Sequence, residues 1–261
     1  MPLKKVIGNI INKLFQTSRL AEYSSLIDFA ISKGYLLTSL ADWYENQLYP
    51  GRKVIVLRHD VDYNPKGAYK MFLIEKERNI KSTYYFRWST AREKIIKAIS
   101  SAGFEVSLHY ETLATYCRKY KIYQAGLVTE EVIKDCRSIL LKEVKDFEYR
   151  FGKIKTLCSH GEIWNMKVGI PNHVLIDTRF YKELGIYFET YDQNVLSKFD
   201  KYISDSSIKT NHEWKYGLTP TEAINNQIKS ICLLTHPHHW NYHLIQNLKM
   251  VFIEFKQKLK D

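Results

Sequence analysis

Residues Lys53 to Tyr63, KVIVLRHDVDY, decide how the chain is read. Val54, Ile55, Val56 and Leu57 make a short β-branched apolar run with no polar face, the pattern of a parallel strand buried on both sides. The run stops at Arg58, His59, Asp60 and Asp62. Packing does not explain so much charge at one strand exit. Asp60 and Asp62 are two residues apart, so an extended backbone points them the same way. One carboxylate can then hold a cation while its neighbour takes a proton. The competing reading is structural: the aspartates cap a helix that Asn64-Pro65 begins.

Outward from this run, strand-like and helix-like segments alternate. Before it, residues 15–50 have helical spacing, with Leu20, Tyr23, Leu26, Ile27 and Ala30, then Leu36 to Trp43, and a stop at Lys33-Gly34. Tyr49-Pro50-Gly51 turns the chain into the strand. Beyond it, strands are expected at 82–86, 105–108, 155–158, 186–191, 201–204 and 231–234. Helices are expected at 65–78, 91–102, 129–149, 172–184, 219–229 and 243–258. Thr129 serves as an N-cap, and Thr219-Pro220-Thr221-Glu222 has the form of a capping box. About seven strands alternating with helices predict an α/β chain whose parallel sheet is covered by helices. Residues 1–50 are expected to be an N-terminal helical segment packed on a barrel formed by residues 51–261, which ends in a further helix. No linker or repeat of fixed period divides them.

With 261 residues, 45% hydrophobic and 26% charged, the composition is that of a soluble globular protein with a substantial core. No apolar run reaches the roughly 18 residues of a membrane span. MPLKKVIGNIINKLF is too short and interrupted for a signal peptide. Its spacing fits a helix resting on its own domain, with weak membrane-surface contact as the second reading. Against 28 Asp and Glu stand 39 Lys and Arg, a net charge of +11, which favours anionic partners. The lysines are scattered, so no specific nucleic-acid footprint is expected. Cys117, Cys136, Cys158 and Cys232 form no C-x-x-C pair, and three of them sit in apolar surroundings as buried free thiols do, hence a cytoplasmic chain is expected.

The strand exits carry the functional pattern. Asp60 and Asp62, Arg87, His109, His160, Asp205 and His236 lie at the C-terminal ends of different expected strands. In a barrel of parallel strands those ends share one mouth, where active sites sit. Two or three histidines with a carboxylate are the ligand set of a catalytic divalent metal that keeps one position open. Such a metal lowers the pKa of water and polarises a carbonyl. A free carboxylate can serve as base, and a histidine across the mouth can protonate a leaving amine. Asp60, Asp62, His109, His160 and His236 can fill these roles between them.

Their neighbours carry two readings each. Trp88, Trp164 and Trp240 either line a sugar-binding rim or pack in the core. Glu111 and Glu162 are partners of the ligands or helix-start charges. His238 and His239 are expected at the rim, and His59 as a support whose ring donates to a backbone carbonyl. His173, His212 and His243 are given no role.

These motifs resemble the polysaccharide deacetylase superfamily, also called the NodB homology domain. Arg58-His59-Asp60-Val61-Asp62 is similar to its paired-aspartate first motif in an Asp-x-Asp form. Ser82-Thr83-Tyr84-Tyr85-Phe86 resembles the Ala-Thr-Phe-Phe strand that follows. Gly103-Phe104-Glu105-Val106-Ser107-Leu108-His109 is similar to Gly-His-Glu-Ile-x-x-His, and Leu233-Leu234-Thr235-His236 to the closing Leu-x-x-His. The resemblance spans residues 53–240. It implies an irregular (β/α)7-type barrel with N-terminal and C-terminal helical additions, one divalent metal ion with zinc preferred, and deacetylation of an amino sugar. It implies Asp60 as base, Asp62 and His109 as ligands, and His236 as acid.

The sequence also departs from the family. The histidine expected four residues after His109 is replaced by Leu113, so the third ligand is assigned to His160. An Arg-Pro-Pro-Tyr type motif is replaced by Ser159-His160-Gly161-Glu162, so Arg58 or Arg87 must supply the arginine that holds the catalytic aspartate. Asp205 with Trp214 is loosely similar to a later Asp-Trp element whose aspartate orients that arginine. These departures fit a divergent branch linked to surface-polysaccharide biosynthesis.

The expected activity is metal-dependent deacetylation of a small N-acetylated sugar, free or linked to a nucleotide or lipid carrier. Arg58 joins Asp60 and His236 in catalysis, and Arg87, Trp88, Glu111, Asp205, His238 and Trp240 are the expected substrate contacts. Hydrolysis of another carbon–nitrogen bond, in a formamide or ureide, stays open. So does a sugar-binding or assembly protein that has kept the barrel without the chemistry.

Overall fold

One parallel sheet organises the chain. Its strands are β1 (Leu36–Thr38), β2 (Val54–Val61), β3 (Thr83–Phe86), β4 (Glu105–Tyr110), β5 (Thr156–Ser159), β6 (Phe188–Glu189), β7 (Lys201–Ser204) and β8 (Ser230–Thr235). The computed structural model describes residues 18–206 and 214–241. The helical spacing at the extreme N-terminus, the expected helix 243–258, His212 and His243 lie outside them. The strands follow the order β6-β5-β4-β3-β2-β8-β7, with β1 also on β2. β8 takes one edge of β2 from Val54 to His59. The other edge is shared, β1 pairing at Val54–Val56 and β3 at Arg58–Val61.

β1 corrects an expectation. Leu36 to Trp43 has helical spacing, yet Leu36–Thr38 is a strand and only Leu40–Glu45 is helical. A short apolar run satisfies either period, and here the free edge of β2 decides. Elsewhere among the described residues strands and helices alternate, but the expected helix 172–184 is split into Asn172–Leu175 and Thr178–Leu184, and the expected strand 186–191 is only Phe188–Glu189. Thr112–Tyr120 and Ile163–Val168 are further helices. The capping interactions of Thr129 and Thr219 are present.

The sheet curls into a barrel. A flat sheet would hold β2 and β5, three places apart, about 14 Å from one another. Instead Asp60 Oδ2 on β2 is 3.8 Å from Cys158 Sγ on β5. Arg58 Nη2 reaches that sulfur at 2.8 Å and Tyr191 Oη, beyond β6, at 3.0 Å. Among the described residues no pairing joins β6 to β7, so the barrel is open there. This is the expected irregular α/β barrel, with β1 as an added strand.

Every residue of β2 is buried, and its two faces enter different cores. Val54 and Val56 meet Tyr85, Cys158, Phe188 and Cys232 inside the barrel. Ile55 and Leu57 pack outward with Tyr23 and Ile27 of the helix Leu20–Ser32. Strand periodicity therefore sends Arg58 and Asp60 inward and His59 outward.

His59 does not donate to a backbone carbonyl. Its Nδ1 pairs with Thr235 Oγ1 at 2.7 Å and its Nε2 with Glu75 Oε1 at 2.7 Å. Glu75, fully buried on the helix Pro65–Glu77, also accepts from Ser82 Oγ (2.6 Å), Tyr84 Oη (2.7 Å) and Tyr23 Oη. Burial pushes the Glu75 carboxyl up, but His59 and the hydroxyl donors outweigh it and hold it below its ordinary value. Glu75→Leu strands these donors and is expected to cost about 3–5 kcal/mol in urea unfolding. A depressed carboxylate contributes fully above its unfolded value, about 4.3 for glutamate, and less as the pH falls through its folded value. The gap between wild type and variant should accordingly narrow in acid.

Candidate metal centre

The barrel mouth gathers residues from five strand ends. Asp60 lies in β2 and Asp62 directly follows it; His109 is in the last turn of pleat of β4; His160, Asp205 and His236 directly follow β5, β7 and β8. Asp62 Oδ1 is 3.3 Å from His109 Nε2 and 3.6 Å from His160 Nε2. Asp62 Oδ2 is 3.8 Å from His236 Nε2, and Asp60 Oδ2 is 3.5 Å from His109 Nε2. One ligand atom each from Asp62, His109 and His160 falls within 4.8 Å of the others.

Hydrogen positions follow from the partners behind the rings. His109 Nδ1 is 3.1 Å from the carbonyl of Cys158. A carbonyl only accepts, so Nδ1 carries hydrogen and Nε2 of the neutral ring presents a lone pair. His160 Nδ1 is 3.3 Å from Glu111 Oε2, a charge contact that makes no hydrogen bond, and its Nε2 faces Asp62. Asp62 Oδ1 is buried and accepts no hydrogen bond. Two lone pairs and a buried carboxylate facing one another need positive charge among them. Two imidazolium rings with centroids 5.1 Å apart supply it at the cost of mutual repulsion. One divalent cation suits this donor set better.

Two other clusters meet the same spacing, Asp60-His109-Cys158 and Asp205-His236-His239. Their carboxylates are already engaged. Arg58 donates to Asp60 Oδ1 through Nε at 2.9 Å and to Oδ2 through Nη2 at 2.7 Å. Burial pushes the Cys158 thiol well up, and its Sγ already takes an Arg58 Nη2 contact at 2.8 Å. Asp205 Oδ1 receives His236 Nδ1 at 2.5 Å, and Oδ2 receives the His236 backbone N–H and Trp240 Nε1, both at 2.9 Å.

The electrostatics divide the mouth in two. Burial pushes the Asp60 carboxyl up, but the Arg58 guanidinium leads the opposing charges, and the carboxyl lies below the ordinary aspartate range. Arg58 is itself fully buried, its guanidinium 4.7 Å from the Tyr191 ring and 5.7 Å from that of Tyr85. On the other side, burial disfavours charge on His236, yet Asp205, Asp62 and Asp60 raise it to about 9. An ionised carboxylate and a protonated imidazole thus flank Asp62.

The expected partners are redistributed. Arg58, not Arg87, holds Asp60; Arg87 Nη2 instead pairs with Glu111 Oε2 at 2.7 Å. Asp205 orients no arginine and presents no surface to a substrate: it is fully buried, and its work is to hold His236. Trp240, expected at the rim, is 2% exposed and packs on Tyr23 and Trp214. Trp88 also turns away, packing edge-on against Phe147 under the Arg150 guanidinium. His239 is buried, its Nδ1 3.2 Å from Asp205 Oδ2. His238 stays half-buried at the mouth, edge-on to Tyr63 at 5.2 Å.

Cys158 and Tyr191, which complete the surroundings of Arg58, are absent from the sequence-based site. Tyr191 lies 133 residues from Arg58, and no local pattern marks such a contact.

The fold and site define an open barrel of parallel strands whose C-terminal rim carries an aspartate–dihistidine cluster that could hold a cation. Among solved structures, the chain is similar to a mutant of BA3943, a CE4 family pseudoenzyme with restored enzymatic activity (TM-score 0.44, 13% identity, 80% of this chain and 65% of that one). Wild-type BA3943 comes from Bacillus anthracis. A family 4 carbohydrate esterase from Bacillus anthracis is also similar (TM-score 0.39, 14% identity, 90% of this chain and 85% of that one). So is the Bc1960 peptidoglycan N-acetylglucosamine deacetylase (TM-score 0.39, 14% identity, 89% and 91%). The chain spans less than two thirds of the BA3943 chain, 65%. The family of these structures is the polysaccharide deacetylase family that the motifs resemble. No protein-family model matches the chain, and no curated protein sequence does.

Proposed function

We propose that the chain is a metal-dependent hydrolase that removes the acetyl group from an N-acetylated amino sugar. The observation that carries this reading is Asp62 Oδ1, buried without a hydrogen bond and faced by His109 Nε2 and His160 Nε2. Asp62, His109 and His160 would hold a divalent cation, zinc for preference. Bound there, it supplies Lewis acidity to an amide carbonyl and to water.

The chain's own groups do the proton work. Asp60, kept ionised by Arg58, takes the proton of the attacking water. His236, protonated and fixed through Nδ1 by Asp205, gives its Nε2 proton to the departing nitrogen. Two groups whose surroundings push their protonation states apart are the mark of an acid–base pair.

The net charge of +11 favours a sugar carried on a nucleotide or lipid phosphate, a precursor of a surface polysaccharide handled in the cytoplasm. Among the described residues no helix is long and apolar enough to cross a membrane.

The test is acetate release from free and nucleotide-linked N-acetylated amino sugars by the zinc-loaded protein. Binding without release would favour a sugar-binding protein, and release of formate or ammonia from a formamide or ureide would favour the other hydrolase reading. His236→Gln is expected to lower kcat by about 10²–10⁴, with metal content unchanged by elemental analysis.

A further inference from the structure

We infer that Glu111 is a positioning residue: it fixes the His160 ring so that Nε2, not Nδ1, faces the cation, and Arg87 holds it in place. This rests on the reading of Asp62, His109 and His160 as the ligand set. The two histidines are secured differently. His109 Nδ1 has a backbone carbonyl behind it, that of Cys158 at 3.1 Å. For His160 the backbone is secured, its N–H donating to Tyr110 O at 2.7 Å and its carbonyl accepting from Asn172 Nδ2 at 2.6 Å. Among the described residues no carbonyl accepts from its ring. What lies behind Nδ1 is Glu111 Oε2, at 3.3 Å, near enough to attract the ring hydrogen by charge though not aligned as a hydrogen bond.

The tautomer matters because of what stands on the other side. A neutral His160 with hydrogen on Nε2 would aim that N–H at Asp62 Oδ1, now 3.6 Å away. Such a bond would occupy the ligand oxygen and the ligand nitrogen together. A carboxylate behind Nδ1 draws the hydrogen there and leaves Nε2 as a lone pair, the arrangement by which carboxylates support metal-bound imidazoles.

Glu111 in turn is held by Arg87 Nη2 at 2.7 Å, and the Arg87 guanidinium lies 5.7 Å from the Tyr63 ring. Tyr63, Arg87, Glu111 and His160 come from the exits of β2, β3, β4 and β5. A chain of contacts thus crosses four adjacent strand ends and stops at the ring it aligns.

The experiment is a titration of metal-free protein with Co²⁺, followed by its visible absorption. Glu111→Ala is expected to weaken Co²⁺ binding about 10–100-fold and to change the absorption envelope. Glu111→Gln, whose amide oxygen can take the place of Oε2 beside Nδ1, should restore part of the affinity. In a His160→Ala background the Glu111 substitution should have no further effect on affinity. Equal affinity and an unchanged spectrum in Glu111→Ala overturn the inference, as does an undiminished loss in the His160→Ala background. If wild type takes up no Co²⁺ at all, the ligand-set reading itself has failed.

Discussion

Asp60→Asn is expected to abolish turnover while keeping the metal. The asparagine is the same size and can still accept from Arg58, but it cannot take a proton from water. Loss of a general base lowers kcat by about 10²–10⁴. Asp60 is spoken for by two Arg58 hydrogen bonds, at 2.9 and 2.7 Å, so it is not free to serve as the principal ligand. Elemental analysis of the variant should therefore match wild type. Loss of the metal would exchange the roles of Asp60 and Asp62. The substitution also leaves the fully buried Arg58 uncompensated, and removing one partner of a buried pair costs about 3–5 kcal/mol. Activity must accordingly be measured well below the variant's unfolding temperature. Arg58→Met supplies a comparison, since it leaves the Asp60 carboxylate present but no longer held.

Asp62→Ala is expected to empty the centre. Among the described residues, Asp62 is the one carboxylate at the rim with a buried oxygen that accepts no hydrogen bond, and it stands between both histidine nitrogens. Burial alone would push its carboxyl up; the protonated His236, 3.8 Å from Oδ2, opposes that. Its removal should weaken metal binding by more than the roughly 10–100-fold typical of a supporting group, and turnover should disappear with the metal. Thermal unfolding gives an independent readout. A ligand at about 100 times its Kd stabilises the native state by about 2.7 kcal/mol, so zinc should raise the wild-type Tm and leave that of Asp62→Ala unmoved. His109→Ala should behave alike. A variant that binds zinc as wild type does would remove Asp62 from the ligand set, and with it the proposed chemistry.

Much of the frame was legible in local pattern. The apolar run 54–57, the alternation beyond it and the charge at each exit foretold parallel strands and a polar rim, because both depend on residues close in sequence. The outward turn of His59 follows from the same period of two, yet its partners Glu75 and Thr235 belong to other elements. Leu36–Thr38 misled because three residues carry too little periodicity to separate strand from helix. The rim tryptophans misled for another reason: a side chain after a strand can turn either way, and the core under Trp240 has room for it beside Tyr23.

What the sequence determined by itself is the set of groups at the mouth: which carboxylates, imidazoles and guanidinium groups stand at which strand ends. Only the tertiary structure decided their pairing. Arg58 takes Asp60 because both point into the same barrel interior two residues apart, while Arg87 is drawn to Glu111. Asp205 serves His236, and Glu111 stands behind His160. The reason is physical: which face a strand residue occupies is a local property, whereas the distance between strand ends depends on how far the whole sheet curls. That curl is a sum over every strand and the helices packed on it, and no single stretch encodes it.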